Sequence, residues 1–382
     1  MADDDPKLTG ADVDPHRRQL FEAYDNWLLR QCRERYDARG ERWQRDYASP
    51  EVYSRSVAPN RERLLAMIGG WPWERGPLEP RVEEIATTDA YMASRVWYTS
   101  FNDVRVDAIL IRPHGIGPFP AVLAQHGVNH TPEQICGFTD DPEHSAAYHE
   151  IGVRLAKHGY VVIAPRMIGG YGEDRYNVPN IPSLRKFEQG RAQNQIHRKA
   201  QLIGQTIQAL EYFSLSRAVD YLETLPEVDN DRIGLYGLSR GGRAALWLGA
   251  LEQRLQAVVS SAWFNERFSK MLEPEKINGG AFIETSSEFQ FIPGLFHEFG
   301  DADIASLICP RAFFVEDGKH DRAVWWPNAV QEFELVREFY AQLGIPEKCG
   351  IRIHEQGHET EPEDEITDIQ AVAFLDRWLK SE

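Results

Sequence analysis

Between residues 80 and 380, short apolar runs alternate with stretches whose apolar positions recur every three or four residues. Val82 to Thr88, Tyr91 to Thr99 and Val104 to Ile111 read as strands, the last ending at Pro113. The Pro118-Phe119-Pro120 stop precedes a short buried strand, Ala121-Val122-Leu123-Ala124. A helix near Ala146–Lys157 followed by Tyr160-Val161-Val162-Ile163-Ala164 then makes a βαβ crossover. An amphipathic helix through Ile207, Leu210, Phe213, Ala218 and Leu222 ends at Pro226. Further strands follow at Arg232 to Tyr236, Ala257 to Ser261, Arg311 to Val315 and Ile351 to His354, and a last helix carries Ile366, Ile369, Ala373, Trp378 and Leu379. This alternation predicts an α/β fold: a doubly wound, mostly parallel sheet covered by helices on both faces.

The first part of the chain has a different texture. Asp14-Pro15 is a good helix start, a capping carboxylate followed by a proline whose missing N–H costs nothing in a first turn. Leu20, Tyr24, Trp27 and Leu28 then fall at helical spacing up to Gly40, and a second helix is expected from Asn60 to Gly69-Gly70. We expect residues 1–78 to form an N-terminal helical extension and residues 79–382 the catalytic domain. The apolar stripe of the extension must cover something, either the main domain or a second subunit. Two irregular stretches, 168–200 and 262–300, follow sheet strands and are placed where pocket walls would sit.

Composition narrows the function. Hydrophobic residues make up 42% of 382, enough for a large core, and the formal net charge is −17. That charge repels a phosphate backbone, so nucleic acid is not an expected partner, nor is an anionic membrane. No run of about 18 apolar residues exists to span a bilayer. Cys32, Cys136, Cys309 and Cys349 are scattered without a Cys-x-x-Cys pair, which fits a reducing compartment. The acidic start, Met1-Ala2-Asp3-Asp4-Asp5, lacks the pattern of a secretion signal, so a cytoplasmic location is expected.

The chemistry centres on Gly237-Leu238-Ser239-Arg240-Gly241, which lies between an apolar run and the helical stretch Gly242-Arg243-Ala244-Ala245-Leu246. A serine on a sharp strand-to-helix corner takes a strained backbone that small neighbours allow, and the corner pushes its hydroxyl outward. A hydroxyl is a poor nucleophile at neutral pH; it needs a base, and the base needs an orienting carboxylate. Three carboxylates compete after the strand at 311–315: Glu316 continues the strand, Asp317 opens the turn, and Asp321 lies beyond Gly318, from where it can swing back. Asp321 is the candidate acid, with Glu316 second. For the base, His358 follows the last strand in a loop, whereas His354 occupies a strand position and reads as structural. The backbone N–H of Arg240 is one candidate oxyanion donor. The second belongs to the loop His126-Gly127-Val128, with Val128 preferred and Gly127 the alternative.

His354-Glu355-Gln356-Gly357-His358 also matches the zinc-binding His-Glu-x-x-His pattern, which works only on a helix. The preceding residues alternate as a strand, and on a strand positions 354 and 358 would lie roughly 13 Å apart, too far to share one ion. His126 and His130 flank a turn at Gly127 and are no better as ligands. Neither a metal nor a cofactor is expected.

These motifs together resemble the α/β-hydrolase superfamily, in particular its acetyl xylan esterase-like and dienelactone hydrolase-like branch. The resemblance rests on Gln125-His126-Gly127-Val128, on Leu155 to Val162, on Arg232 to Gly242, and on Pro310-Arg311, Asp321 and Gly357-His358. It covers about residues 80–380 and implies an α/β-hydrolase fold with Ser239 as nucleophile, Asp321 as acid and His358 as base. Arg166 departs from it, standing where many relatives carry an aspartate. The implied activity is hydrolysis of a carboxylic ester through an acyl-enzyme, with a short acyl group on a sugar or small metabolite. The absent secretion signal points away from polymeric xylan. A carbon–carbon or amide hydrolase with the same triad is the alternative, and a non-catalytic binding protein the third reading. A small-molecule ester is the expected partner, and a homo-oligomer is left open.

Overall fold

The computed structural model describes residues 9–139, 145–169, 191–277, 280–362 and 370–380. Nine strands form one sheet: β1 (Arg81–Thr87), β2 (Tyr91–Phe101), β3 (Val104–Pro113), β4 (Phe119–Gln125), β5 (Val161–Pro165), β6 (Val228–Leu238), β7 (Leu255–Ser261), β8 (Ala312–Gly318) and β9 (Cys349–His354). Their spatial order is β1-β2-β3-β5-β4-β6-β7-β8-β9. The first three strands and β5 pair antiparallel, and every pair from β5 through β4 to β9 is parallel.

The helices are α1 (Gly10–Ala38), α2 (Pro50–Ser56), α3 (Ala58–Met67), α4 (Pro132–Cys136), α5 (Ile151–Lys157), α6 (Arg191–Gln201), α7 (Ile207–Leu222), α8 (Arg240–Leu251), α9 (Arg267–Leu272), α10 (Asp301–Ser306), α11 (Trp326–Gln342) and α12 (Ala371–Leu379). On one face of the sheet Leu215, Leu246, Trp247, Ile304 and Phe333 from α7, α8, α10 and α11 close over Leu123, Leu235 and Val258. On the other, Ile135, Leu155 and Leu375 from α4, α5 and α12 close over Val122, Tyr236 and Val259. Burial of both faces is why the central strands read as unbroken apolar runs.

The N-terminal helices differ in detail from the sequence reading. α1 begins at Gly10, so Pro15 lies inside it and only one backbone bond is lost. A helix at 50–56 precedes α3; Ser49 caps it, its hydroxyl accepting the Val52 N–H at 3.3 Å, and Pro50 follows at the first helical position. Tyr53, Val57, Leu64 and Ile68 are fully buried in the same core as the sheet. This part of the extension therefore covers the main domain. The expected helix at 146–157 is shortened to α5, because His149 and Glu150 both take left-handed backbone. Of the irregular stretch 168–200, residues 191–200 fall in α6 and residues 170–190 lie outside the described residues.

Strand order sets where a site can form. β5 lies on one side of β4 and β6 on the other, so the chain reverses its direction of sheet-building between β4 and β6. Loops leaving the carboxyl ends of these two strands diverge and leave a crevice, the usual place for a ligand in an open α/β sheet. Gln125 pairs with Gly237 at that edge, which brings the loop after β4 beside the corner after β6.

Candidate active site

Ser239 sits between β6 and α8 with φ 61° and ψ −119°, a left-handed backbone strained for a non-glycine residue. Its N–H donates to the Ser261 carbonyl at 2.8 Å and its carbonyl accepts the Arg243 N–H at 2.9 Å, so the corner is fastened on both sides. Gly237 and Gly241 are required by packing. A Cβ on Gly237 would enter the Gly241 carbonyl, and one on Gly241 the Gln125 carbonyl. The Arg240 side chain is buried and reaches back under the corner. Its guanidinium donates to both Glu211 oxygens at 2.6 and 2.7 Å and to the Ile168 carbonyl at 2.6 Å. Ile168 N–H in turn donates to Glu211 at 2.9 Å, which ties the loop after β5 to α7. Burial pushes the Glu211 carboxyl up, and the Arg240 charge opposes that.

Asp321 and His358, far apart in sequence, are brought together. His358 Nδ1 lies 2.7 Å from Asp321 Oδ2, and the other carboxylate oxygen accepts the Ala323 and Val324 N–H groups at 2.6 and 3.3 Å. The aspartate is fully buried while the imidazole is partly exposed. With its Nδ1 proton given to the carboxylate, His358 presents Nε2 as a lone pair.

Glu316, the second candidate for the acid, is otherwise engaged. Its Oε1 accepts the Tyr236 and Ser261 hydroxyls at 2.7 and 2.8 Å and the Glu361 N–H at 3.3 Å, a clasp joining β6, β7 and the segment after β9. Asp317 is buried, and burial followed by the neighbouring Asp321 charge raises its pKa well above the usual carboxylate range. His354 is buried at the end of β9, where its Nδ1 accepts the Gln356 N–H at 3.2 Å.

Among the described residues no hydrogen bond joins the Ser239 hydroxyl to His358. The path of the chain nevertheless carries the histidine loop back toward the serine. After β9, at the far edge of the sheet, Thr360 donates through its hydroxyl to the Tyr148 carbonyl at 3.0 Å and through its N–H to the Ala147 carbonyl at 2.9 Å. The Tyr148 hydroxyl accepts the Gly127 N–H at 2.7 Å, and a Cβ built at 127 would lie 3.4 Å from Ser239 Cβ. Residues 355–361 thus run from β9 toward the β4 side, where Ser239 lies.

This also separates the two candidate donors of the β4 loop. The Gly127 amide is spent on Tyr148, whose hydroxyl proton then faces His130 Nδ1 at 2.5 Å. The Val128 amide makes no hydrogen bond among the described residues. Of the two, Val128 is therefore the amide without a partner among the described residues. His126 holds the loop from beneath. Met167 N–H donates to its Nε2 at 3.1 Å, so the ring proton is on Nδ1 and is given to the Gly127 carbonyl at 2.9 Å. Both ring nitrogens are used within the protein, and no cluster able to hold a metal ion occurs among the described residues.

Burial lowers the His126 pKa to about 3. The unfolded chain binds this proton below about pH 6.5 and the folded chain does not, so acid favours unfolding. Folding stability should fall by up to about 1.4 kcal/mol per pH unit on this account between pH 6.5 and 3, with no effect above that window. Denaturant titrations of the chain and of His126→Gln check this. If the two stabilities change in parallel from pH 7 to 4, the neutral imidazole is not the cause.

A cavity of about 700 Å³ opens beside the β4 loop, with Asn129, His130, Met167, Ile168, Leu210 and Glu211 in its wall. Arg166 sits at its rim, bidentate to Asp107 at 2.7 and 2.8 Å and bonded to Glu133 at 2.8 Å. At the position where the resemblance expects an aspartate, the arginine ties β3 to α4 and holds the rim of the cavity. Sequence reasoning passed over Glu211 and Tyr148 as supports and weighed Glu316 only as a candidate acid. Glu211 alone left a signal, as a charge inside an apolar helix.

The Dienelactone hydrolase family matches residues 106–295. Over 326 residues the chain is 24% identical to "Putative hydrolase YtaP" of Bacillus subtilis (strain 168), spanning 84% of this chain and 99% of that protein. It is 30% identical over 196 residues to the 4-O-methyl-glucuronoyl methylesterase of Hypocrea jecorina (strain QM6a), but this covers only 44% of this chain and 39% of that one. Among solved structures, Acetyl Xylan Esterase 1 from Thermoanaerobacterium sp. JW/SL YS485 superposes with a TM-score of 0.53 at 18% identity, covering 88% of this chain and 96% of that one. No helix among the described residues is long and apolar enough to cross a membrane.

Proposed function

Since this chain belongs to the α/β-hydrolases, on their dienelactone hydrolase-like branch, we propose that it is a serine carboxylic-ester hydrolase working through Ser239, His358 and Asp321. The observation that carries the reading is the Asp321–His358 pair, 2.7 Å apart, on a loop that returns toward a serine held at φ 61°. In this mechanism His358 Nε2 takes the Ser239 proton as the hydroxyl oxygen attacks the ester carbonyl. The charge that develops on the carbonyl oxygen is met by the N–H groups of Arg240 and Val128. Collapse releases the alcohol, protonated by His358, and leaves an acyl-enzyme that water cleaves by the same steps reversed in role.

The substrate class rests on the relatives, whose names place them among carbohydrate and methyl esterases. A short acyl group on a sugar or small metabolite suits the 700 Å³ cavity whose wall includes Asn129 and His130 of the β4 loop, and the scattered cysteines favour a reducing compartment such as the cytoplasm. A fluorophosphonate probe followed by peptide mass spectrometry tests the mechanism. The adduct should map to the peptide containing Ser239 alone; an unlabelled chain, or label on another serine, would overturn it.

A further inference from the structure

Among the described residues, nothing covers an apolar surface that α1 presents. Its C-terminal part is rooted on the body: Arg33 donates to Glu273 at 2.8 Å, Arg39 to Asp303 at 2.7 Å, and Tyr36 is buried between Phe268 and Phe296. From residue 14 to residue 30 every side chain is exposed, so about 26 Å of helix stands clear at 1.5 Å per residue. In proteins most helical stability comes from packing an apolar face against a partner.

Five large apolar side chains of the free part gather on one side of the helix. Leu20 (61% exposed), Phe21 (68%), Tyr24 (64%), Trp27 (51%) and Leu28 (51%) share one face. Gln19, Glu22, Asp25, Asn26 and Arg30 occupy the other, with Leu29 as a single apolar side chain among them. The five apolar side chains present roughly 600 Å², counting about 150–250 Å² for each aromatic side chain. That is as large as the largest apolar patch of an ordinary monomer, and it approaches the roughly 800 Å² each partner contributes to a stable interface.

The order of the stripe singles out its partner. Counted from Tyr24, leucines stand four residues away on each side (Leu20, Leu28) and aromatics three residues away on each side (Phe21, Trp27). A pattern that reads alike in both directions is self-complementary under a two-fold axis, which reverses the helix and pairs residue i with j and j with i. We infer that a second copy of this chain docks here, its α1 antiparallel to the first with the two-fold axis at Tyr24. Leu20 then meets Leu28 of the second copy and Phe21 meets its Trp27. The same register brings the copy's Val13 level with Arg35. There an apolar hollow of about 230 Å³ lies beside the root of α1, lined by Cys32, Arg35, Met271, Phe291, Leu295 and Phe296.

Charge favours this occupant over a lipid surface. α1 carries five arginines against six carboxylates, near neutrality in a chain of net charge −17. A helix lying on an anionic membrane needs a basic polar face, which this one lacks. Two copies, by contrast, can approach along an element whose own charges nearly cancel without bringing acidic bodies together.

Light scattering on the eluting peak of a sizing column tests the inference. The unaltered chain at tens of micromolar should weigh twice 43.7 kDa. Phe21→Asp and Trp27→Asp should each halve that mass while circular dichroism and melting temperature hold. Tyr24→Cys should cross-link between copies on mild oxidation, whereas Asn26→Cys on the opposite face should not. A monomer for the unaltered chain, a dimer that survives both aspartates, or equal cross-linking at the two positions overturns it. None of these readouts depends on hydrolysis, so they fail or stand separately from the proposed activity.

Discussion

Replacing Ser239 by alanine is expected to lower kcat/KM on p-nitrophenyl acetate by roughly 10⁴- to 10⁶-fold, about 5.5–8 kcal/mol of transition-state stabilisation. The change removes one oxygen from a partly exposed position and leaves the corner's backbone bonds to Ser261 and Arg243 intact. Folding should therefore be unaffected, and the melting temperature should match that of the parent. If the amides of Arg240 and Val128 are the oxyanion donors proposed above, some acceleration over water should survive the loss of the serine. A serine that merely lined the cavity would instead change KM by a few-fold and spare kcat. Retention of more than a tenth of the turnover would remove Ser239 from the chemistry.

The contrast between residues read in advance and those missed has a physical source. The corner at 237–241 is local: two glycines, a preceding apolar run and a following helix are all encoded within about fifteen residues, and the structure shows that strand, turn and helix. Asp321 and His358 were legible because both follow strands whose apolar runs are unmistakable, so their loops had to emerge at one sheet edge. The Glu316 clasp was not legible. It joins residues 236, 261, 316 and 361, and only the lateral order of β6, β7 and β8 makes them neighbours. The same is true of Tyr148, whose backbone meets Thr360 across more than two hundred residues of chain and whose hydroxyl meets Gly127. The left-handed pair His149 and Glu150 was hidden for another reason, since neither is a glycine, the residue that marks such backbone in a sequence. The face of α1 was read as needing cover, but periodicity cannot say whether cover comes from within the chain.

Asp321→Asn should be nearly as damaging as loss of the serine, lowering kcat by roughly 10³- to 10⁴-fold with a smaller change in KM. The side chain is fully buried and its Oδ1 accepts the Ala323 and Val324 N–H groups, so the amide oxygen must stay on that side. The amide nitrogen then faces His358 Nδ1, where the carboxylate oxygen now lies at 2.7 Å. A donor there forces the imidazole to accept at Nδ1 and to carry its proton on Nε2, the tautomer unable to take a proton from serine. The loss thus follows from proton placement, with geometry preserved. Glu316→Gln supplies the comparison, since Glu316 accepts two hydroxyls and one N–H within the sheet and touches neither His358 nor Ser239. That variant should lower the melting temperature and leave most of kcat, whereas Asp321→Asn should do the reverse. If the two exchanged behaviours, Glu316 would be the acid that orients the base and Asp321 part of the scaffold.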